Sequence, residues 1–153
     1  MAAVITAERP DSPDAMALVA ELDAYLIPLY PPEAHYGYDV EKLLRQEVAF
    51  FVIRQDGIAA GCGGVQLFGT EYGEIKRMYV RPAFRSLGLA KLMLAHLESY
   101  VRERRISLLR LETGIYQPEA IALYERSGFQ RTGPFGDYTG EGPYSLFYER
   151  RIV

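Results

Sequence analysis

One short segment of the chain has the residue types that bind an anion at the start of a helix. Arg85, Gly88 and Ala90 stand at the spacing Arg-x-x-Gly-x-Ala, shortly after a strand-like segment that Pro82 ends. The first amides of a helix lack internal partners, and the helix dipole adds partial positive charge there. Gly88 lets backbone approach a ligand closely. The segment therefore predicts a pyrophosphate-binding turn, and the alternative is an ordinary strand–loop–helix corner with solvated basic residues.

The elements that position this turn follow from periodicity and turn residues. Apolar residues recur at helical spacing over residues 88–104, which predicts a long helix with one buried stripe. The predicted strands cover residues 4–8, 48–54, 58–68, 74–81, 108–113 and 144–150. The other predicted helices follow Ser12, cover residues 40–45 and run over residues 118–127. This order predicts an α/β fold, a mixed sheet with helices on both faces, in a single domain over residues 1–153.

A second motif lies downstream of the turn. The pattern Asn-x-x-Ala-x-x-Leu-Tyr-x-x-x-Gly-Phe is matched, with glutamine in place of the asparagine, by Gln117, Ala120, Leu123, Tyr124, Gly128 and Phe129. The two motifs, in this order, resemble those of the GNAT superfamily of N-acetyltransferases. The resemblance covers residues 48–129 well and the whole chain more loosely.

This resemblance implies a splayed sheet that admits acetyl-CoA between the strands 74–81 and 108–113, without a metal. Backbone groups of Met78, Tyr79 and Val80 would then hold the pantetheine arm. The pyrophosphate would be held by Arg85, Ser86, Leu87, Gly88, Leu89, Ala90 and Lys91. Gln117 and Tyr124 complete the implied cofactor-binding set, although Gln117 departs from the usual asparagine.

The resemblance also points to two catalytic residues. Acetyl transfer to an amine needs a neutral nucleophile and a proton for the departing thiolate. Tyr124 occupies the position of the general acid, and the alternative is a tyrosine packed against the sheet. Glu74 occupies that of the base, and the alternative is an ion pair with Lys76, Arg77 or Arg110.

The strand that carries Glu74 is irregular in pattern. Charged and apolar residues alternate along residues 74–80 without a clean apolar face, which predicts a bulge or a strand that lines a site. The run Gly61-Cys62-Gly63-Gly64 lies within another predicted strand, so its glycines indicate a bulge or close backbone contact rather than a phosphate loop. No base is indicated for Cys62 as a nucleophile.

The acceptor site is predicted beside a segment rich in proline and tyrosine that follows the first helix. Aromatic ring faces there would hold a cationic amine, and the alternative is a surface loop stabilised by its rings. A carboxylate at the end of a core strand could anchor the amine or act as a substitute base. A second loop over residues 133–143 is predicted to close over the acceptor. The candidate substrate-binding residues are Tyr30, His35, Tyr36, Tyr38 and Glu112.

Composition excludes several classes of protein. Seventeen Lys and Arg against twenty Asp and Glu give a net charge of −3 with mixed signs, which argues against a nucleic-acid partner. No apolar run approaches the ~18 residues of a membrane span, and no secretory signal is recognisable. One cysteine and two histidines leave no disulfide and little basis for a metal site. We therefore expect a cytoplasmic protein.

The leading prediction is an N-acetyltransferase. It would move an acetyl group from acetyl-CoA to a primary amine of a small molecule or peptide by direct attack in a ternary complex. Two alternatives stay open: a non-catalytic acyl-CoA sensor, and a transferase for longer acyl chains or protein N-termini. A homodimer is also left open.

Overall fold

The computed structural model describes residues 2–35, 39–138 and 143–152. The strands in chain order are β1 (Ala3–Ala7), β2 (Ala49–Gln55), β3 (Ile58–Phe68), β4 (Tyr72–Val80), β5 (Leu108–Gly114), β6 (Gln130–Thr132) and β7 (Ser145–Arg151). The α-helices are α1 (Pro13–Leu26), α2 (Val40–Arg45), α3 (Leu89–Glu103) and α4 (Pro118–Arg126). Short 3₁₀ turns occupy Ile27–Leu29, Pro32–Ala34 and Pro82–Phe84.

The starts of α1 and α2 follow the capping residues in the sequence. The Ser12 hydroxyl accepts a hydrogen bond from the Ala15 amide at 3.1 Å, and the Asp39 carboxylate accepts one from the Lys42 amide at 2.8 Å. α3 begins differently, at Gly88, with no side-chain cap and no acidic residue in its first turn. Its first amides are therefore left for another partner.

The seven strands form one sheet in the order β1-β2-β3-β4-β5-β7-β6. Every neighbouring pair is antiparallel except β4 and β5, which run parallel. These two strands pair only at Gly73 with Leu109 and at Glu74 with Arg110, and then separate. The splay predicted between the strands 74–81 and 108–113 is confirmed.

Helices cover both faces of this sheet, so the predicted mixed α/β fold is confirmed. On one face, Leu18 of α1 and Leu43 of α2 pack in a cluster with Val52 of β2. On the other, Leu97 of α3 packs in a cluster with Leu111 of β5. Successive residues of a strand point to opposite faces, so Phe51 and Ile53 belong to the α3 cluster while Phe50 and Val52 belong to the α1–α2 cluster.

β4 carries the predicted irregularity. The register with β3 shifts between Cys62 and Gly64, so that two residues of β4 lie opposite Gly63. Arg77 stands at the bulge with φ of 55°. A Cβ atom on Gly61 would approach the Tyr79 carbonyl oxygen to 2.5 Å, so the close backbone contact expected of this glycine run is also confirmed.

Two local expectations are wrong. The sequence pattern does not predict β6, because its three polar residues lack alternation and it is an edge strand. Leu92 is 48% exposed, although it was expected in the buried stripe of α3. That stripe runs through Leu89, Met93 and Leu97 at intervals of four residues, and Leu92 lies outside it.

Within the described ranges, no helix has the length and hydropathy of a membrane span.

Candidate active site

Two cavities meet where β4 and β5 separate. The larger, which we call the β4–β5 cleft, has a volume of about 920 Å³ and runs from the end of β4 to the starts of α3 and α4. The smaller, which we call the tyrosine pocket, has a volume of about 140 Å³ and lies beside Tyr30, Tyr138 and Tyr144. The residues that line both cavities, and so form the boundary between them, are Leu22, Met78, Gln117 and Tyr124.

The predicted cofactor-binding residues gather in the β4–β5 cleft, with one exception. Ser86 and Gly88 turn the backbone through positive φ angles of 69° and 78° before α3. Leu87 is exposed and does not line the cleft. The predicted residues that line it are Met78, Tyr79, Val80, Arg85, Ser86, Gly88, Leu89, Ala90, Lys91, Gln117 and Tyr124.

Arg85 is held at the edge of the cleft rather than free in solvent. Its Nε donates a hydrogen bond to the Val80 carbonyl at 3.0 Å, and its Nη1 lies 3.7 Å from the Glu119 carboxylate of α4. The Val80 carbonyl, expected to hold pantetheine, therefore already has a donor. Arg85 still adds positive charge beside the α3 turn.

Tyr124 lies at the boundary of the two cavities. Its ring is 6% exposed and packs edge-on against Phe129 with centroids 5.8 Å apart. Burial, and secondarily the charge of Glu112, raise the pKa of the Tyr124 hydroxyl above its usual range, so it carries its proton at neutral pH. Among the described residues the hydroxyl has no hydrogen-bond partner. Its position suits a proton donor to a group in the cleft, a role that stays a prediction.

Glu74 forms an ion pair with Lys76, the predicted alternative to a role as base. The residue is 2% exposed, and its Oε2 accepts hydrogen bonds from Lys76 Nζ at 2.9 Å and from the Tyr138 hydroxyl at 2.7 Å. Both donors occupy the same carboxylate oxygen. Glu74 thus belongs to a buried network, which weakens the prediction that it removes a proton from the acceptor.

Glu112 has a different environment in the same pocket. Its carboxylate accepts a hydrogen bond from the Ser145 hydroxyl at 2.8 Å. Burial raises the pKa of Glu112 above its usual range; the charge of Glu74 adds to this, while the Ser145 hydrogen bond and the charge of Lys76 oppose it. A carboxylate of raised pKa takes up protons readily, so Glu112 is the better placed proton acceptor.

Tyr30 and Gln117 join the proline-rich segment to the start of α4. The Tyr30 hydroxyl donates to Gln117 Oε1 at 3.2 Å and accepts from the Tyr116 amide at 3.0 Å. Gln117 Oε1 also accepts from the Gly114 amide at 3.0 Å. The glutamine that departs from the family pattern therefore uses its carbonyl oxygen to hold Tyr30 and the end of β5.

His35 completes that segment. Its Nε2 lies 2.8 Å from the Tyr30 carbonyl and 3.2 Å from the Ile27 carbonyl, so the ring stabilises its own turn while it lines the tyrosine pocket. Tyr36 and Tyr38, the other two predicted acceptor residues of this segment, lie outside the described residues.

Sequence reasoning missed two partners in the site. Tyr138 links the loop after β6 to Glu74 and Lys76, and its only sequence signal is an aromatic residue in a loop rich in glycine and proline. Asp23 of α1 accepts a 2.5 Å hydrogen bond from Arg77, whose Nη2 also donates to the Val19 carbonyl. The bulge turns Arg77 towards α1, and a bulge position cannot be read from sequence alone.

Cys62 and His96 have structural surroundings. Cys62 is buried, its thiol donates to the Arg77 carbonyl at 3.3 Å, and burial raises its pKa to about 12. The His96 ring packs edge-on against Phe51 with centroids 4.5 Å apart, and burial lowers its pKa. Among the described residues, no group of three or more His, Cys, Asp or Glu is placed to hold a metal ion.

Comparison with known proteins identifies the class that this fold and site define. The model of the acetyltransferase (GNAT) family matches residues 15–129, and the chain belongs to that family. An IAA acetyltransferase of Azospirillum brasilense is 41% identical over 150 residues, which cover 97% of each chain.

Solved structures agree with this assignment. A Klebsiella pneumoniae structure provisionally assigned as an acyl-CoA N-acyltransferase is 38% identical, with a TM-score of 0.85 over 99% of this chain and 98% of that one. The PaiA N-acetyltransferase of Thermoplasma acidophilum, solved in complex with coenzyme A, is 17% identical. It has a TM-score of 0.78 over 99% of this chain and 100% of that one, and shows the shared fold.

Proposed function

We propose that the protein is an N-acetyltransferase that moves the acetyl group of acetyl-CoA to a primary amine of a small molecule or peptide. The amine attacks directly in a ternary complex. The observation that carries this proposal is the meeting of the two cavities at Tyr124. One cavity is long enough for a cofactor, the other is small and carries a carboxylate, and a protonated hydroxyl lies between them.

The β4–β5 cleft fits an acyl-CoA. Beyond Glu74 the facing edges of β4 and β5 no longer pair, so their backbone groups need another partner, which the amides of pantetheine can supply. The uncapped first turn of α3, with Gly88 at positive φ and Arg85 beside it, suits the pyrophosphate. The residues therefore fit the group at both its phosphate and its pantetheine parts.

Protons enter and leave the reaction through two side chains. When bound, the cofactor supplies a thioester with an electrophilic acyl carbon. Glu112 takes a proton from the acceptor ammonium, and the freed amine nitrogen bonds to that carbon as the carbon–sulfur bond breaks. Tyr124 donates its proton to the departing sulfur, and the second proton that the acetylated nitrogen loses returns to the Tyr124 oxygen. Glu74 supplies fixed negative charge in this scheme, and its earlier predicted role as base is the alternative to be tested.

The size of the tyrosine pocket supports acetyl as the transferred group. At about 140 Å³ it is smaller than the roughly 300–1,000 Å³ of typical ligand sites, and it must also hold the acceptor amine. A long acyl chain would compete with the acceptor for this space. The cytoplasmic location and the homodimer remain predictions.

The test is release of free thiol from acetyl-CoA with a panel of primary amines, and with IAA, after which the Azospirillum relative is named. We expect thiol release that depends on the amine, with the acetylated amine found by mass spectrometry. Tight binding of acetyl-CoA without release for any acceptor would favour a sensor. Thiol release with a long-chain acyl-CoA only would favour a transferase for longer acyl chains.

A further inference from the structure

We infer that the acceptor is a cationic primary amine with a compact apolar body and no carboxylate beside the amine. This inference rests on the proposed function and names its substrate class. It follows from the surroundings of Glu112 in the tyrosine pocket. Glu112 has no cationic partner among the described residues, and it lies beside tyrosine rings and an apolar wall.

The cations of the pocket are engaged by protein groups. Lys76 Nζ donates to Glu74 and to the Tyr138 hydroxyl, at 2.9 and 3.4 Å. Arg77 Nη2 donates to Asp23 and to the Val19 carbonyl, and among the described residues its buried Nε has no hydrogen-bond partner. A substrate carboxylate would therefore compete with Glu74 for Lys76 and with Asp23 for Arg77.

Glu112 is the carboxylate that an incoming cation can use. Among the described residues no Lys, Arg or His side chain lies within ion-pair distance of it, and its hydrogen bond comes from the neutral Ser145 hydroxyl. A half-buried carboxylate with only a neutral donor has lost part of its hydration without gaining a counter-ion. An ammonium group in the pocket would supply that counter-ion before it gives up its proton.

The walls of the pocket select the rest of the substrate. Leu26, Ile27 and Ala34 supply an apolar side, and Tyr30 and Tyr144 supply ring faces that attract cations. The Tyr30 and Tyr144 rings lie edge-on with centroids 6.3 Å apart. The amine end therefore enters next to Glu112 while an apolar or aromatic body lies against this wall.

The same arrangement excludes a zwitterionic amino acid. Its carboxylate would lie next to Glu112 and within the field of Glu74, with Lys76 and Arg77 already paired. An unpaired carboxylate placed beside two others in a largely enclosed site is disfavoured, and we expect a discrimination of about 100-fold. The pocket thus selects an amine over the amino acid that has the same side chain.

A matched pair of acceptors tests this inference. We would compare kcat/KM for 2-phenylethylamine and for phenylalanine, which differ by one carboxylate, by thiol release from acetyl-CoA. We expect a preference of about 100-fold for 2-phenylethylamine. Equal rates, or a preference for phenylalanine, would overturn the inference.

A variant links the preference to Glu112. Glu112→Gln should lower kcat/KM for 2-phenylethylamine and narrow its preference over phenylalanine by about tenfold, because one repulsive charge is removed. Glu71→Gln, an exposed residue outside both cavities, is the matched control and should keep both values. A fall in activity with an unchanged preference would mean that Glu112 is only structural and would overturn its part in selection.

Direct binding separates failure of this inference from failure of the proposed function. Titration of each acceptor into the protein saturated with CoA, followed by calorimetry, needs no turnover. Tighter binding of 2-phenylethylamine than of phenylalanine without any thiol release would support the inference and reject catalysis. Tighter binding of phenylalanine, or thiol release with IAA and with no amine, would overturn the inference.

Discussion

Glu74 and Glu112 line the same pocket from neighbouring strands, but among the residues that the structure describes only Glu74 has a cationic partner within ion-pair distance. Lys76 Nζ lies 2.9 Å from Glu74 Oε2, whereas Glu112 accepts a 2.8 Å hydrogen bond from the Ser145 hydroxyl. Two carboxylates in such different surroundings can serve different purposes. Glu74 is held in a hydrogen-bonded network with Lys76 and Tyr138, and in the proposed function Glu112 exchanges the proton.

The pH dependence of turnover distinguishes these two carboxylates. Because the pKa of Glu112 is raised, its ionised fraction and hence the rate should increase with pH over the acidic limb of the profile. Glu112→Gln should remove that limb, so that the ratio of its rate to the wild-type rate changes with pH over the acidic limb. Glu74→Gln should lower the rate by a constant factor. The titratable groups that line the pocket with Glu112 are Asp23, Tyr30, His35, Glu74, Lys76, Arg77, Tyr124, Tyr138 and Tyr144.

The reverse pattern of pH dependence would identify Glu74, rather than Glu112, as the base. A constant ratio for Glu112→Gln, together with a pH-dependent ratio for Glu74→Gln that recovers as the free amine fraction grows, would reject Glu112 as the proton acceptor. Rates over the pH range with 2-phenylethylamine as acceptor provide the comparison.

Stability should change in the opposite direction to activity in Glu112→Gln. A carboxyl whose pKa is raised in the folded state contributes stability below its unfolded pKa, and this is lost as pH rises through the folded value. The uncharged variant should therefore melt higher at neutral pH, by about 2–4 °C for about 1 kcal/mol. The difference should shrink towards pH 4. A lower Tm at both pH values would show that the ionised carboxylate stabilises the fold.

Tyr124→Phe tests the proton donor. The change removes the hydroxyl, which has no hydrogen-bond partner among the described residues, and keeps the ring packed on Phe129. Loss of general-acid assistance typically costs 10²–10⁴-fold, so kcat should fall by about that range with CoA affinity and Tm nearly unchanged. Near-normal kcat would make Tyr124 a packing residue.

Gly88→Val tests the pyrophosphate turn, with Gly57→Val as its control. Both glycines have positive φ, 78° and 82°, and a Cβ at either would meet nothing within 4 Å. Each variant should lose roughly 1–2 kcal/mol of stability, because valine is strained in the left-handed region. Only Gly88→Val should weaken CoA binding by calorimetry, since Gly57 lies in the β2–β3 turn. Equal CoA affinities in the two variants would reject the turn as the phosphate site.

Arg85→Ala should weaken CoA binding less than Gly88→Val does. The guanidinium is partly exposed and already donates to the Val80 carbonyl, so its contribution is mainly a screened charge. The loss of affinity should shrink as salt is raised from low to high concentration. A loss that does not depend on salt would indicate that Arg85 acts instead by holding the end of β4.

The fold could be predicted from local signals because those signals agree with one another. Ser12 and Asp39 cap the helices that follow them, and Ile58–Phe68 forms the strand that its pattern indicates. β4 and β5 pair over two residues only, which is not visible in either strand's own sequence. The family resemblance implied that these strands separate.

The site was less predictable because its contacts cross long stretches of chain. Tyr138 reaches Glu74 over 64 residues, and Tyr30 reaches Gln117 over 87. Motif spacing placed Glu74 correctly in the pocket, but it could not distinguish a free carboxylate from one bonded to Lys76. That distinction depends on which side chains the bulge at Arg77 brings together.

The most direct measurement is the stoichiometry of products from acetyl-CoA and 2-phenylethylamine, determined by mass spectrometry after a single turnover. We expect N-acetylated amine and free CoA in equal amounts, with the mass of the protein unchanged, as direct attack in a ternary complex requires. CoA released without acetylated amine, or an acetyl group left on the protein, would contradict direct transfer to an amine.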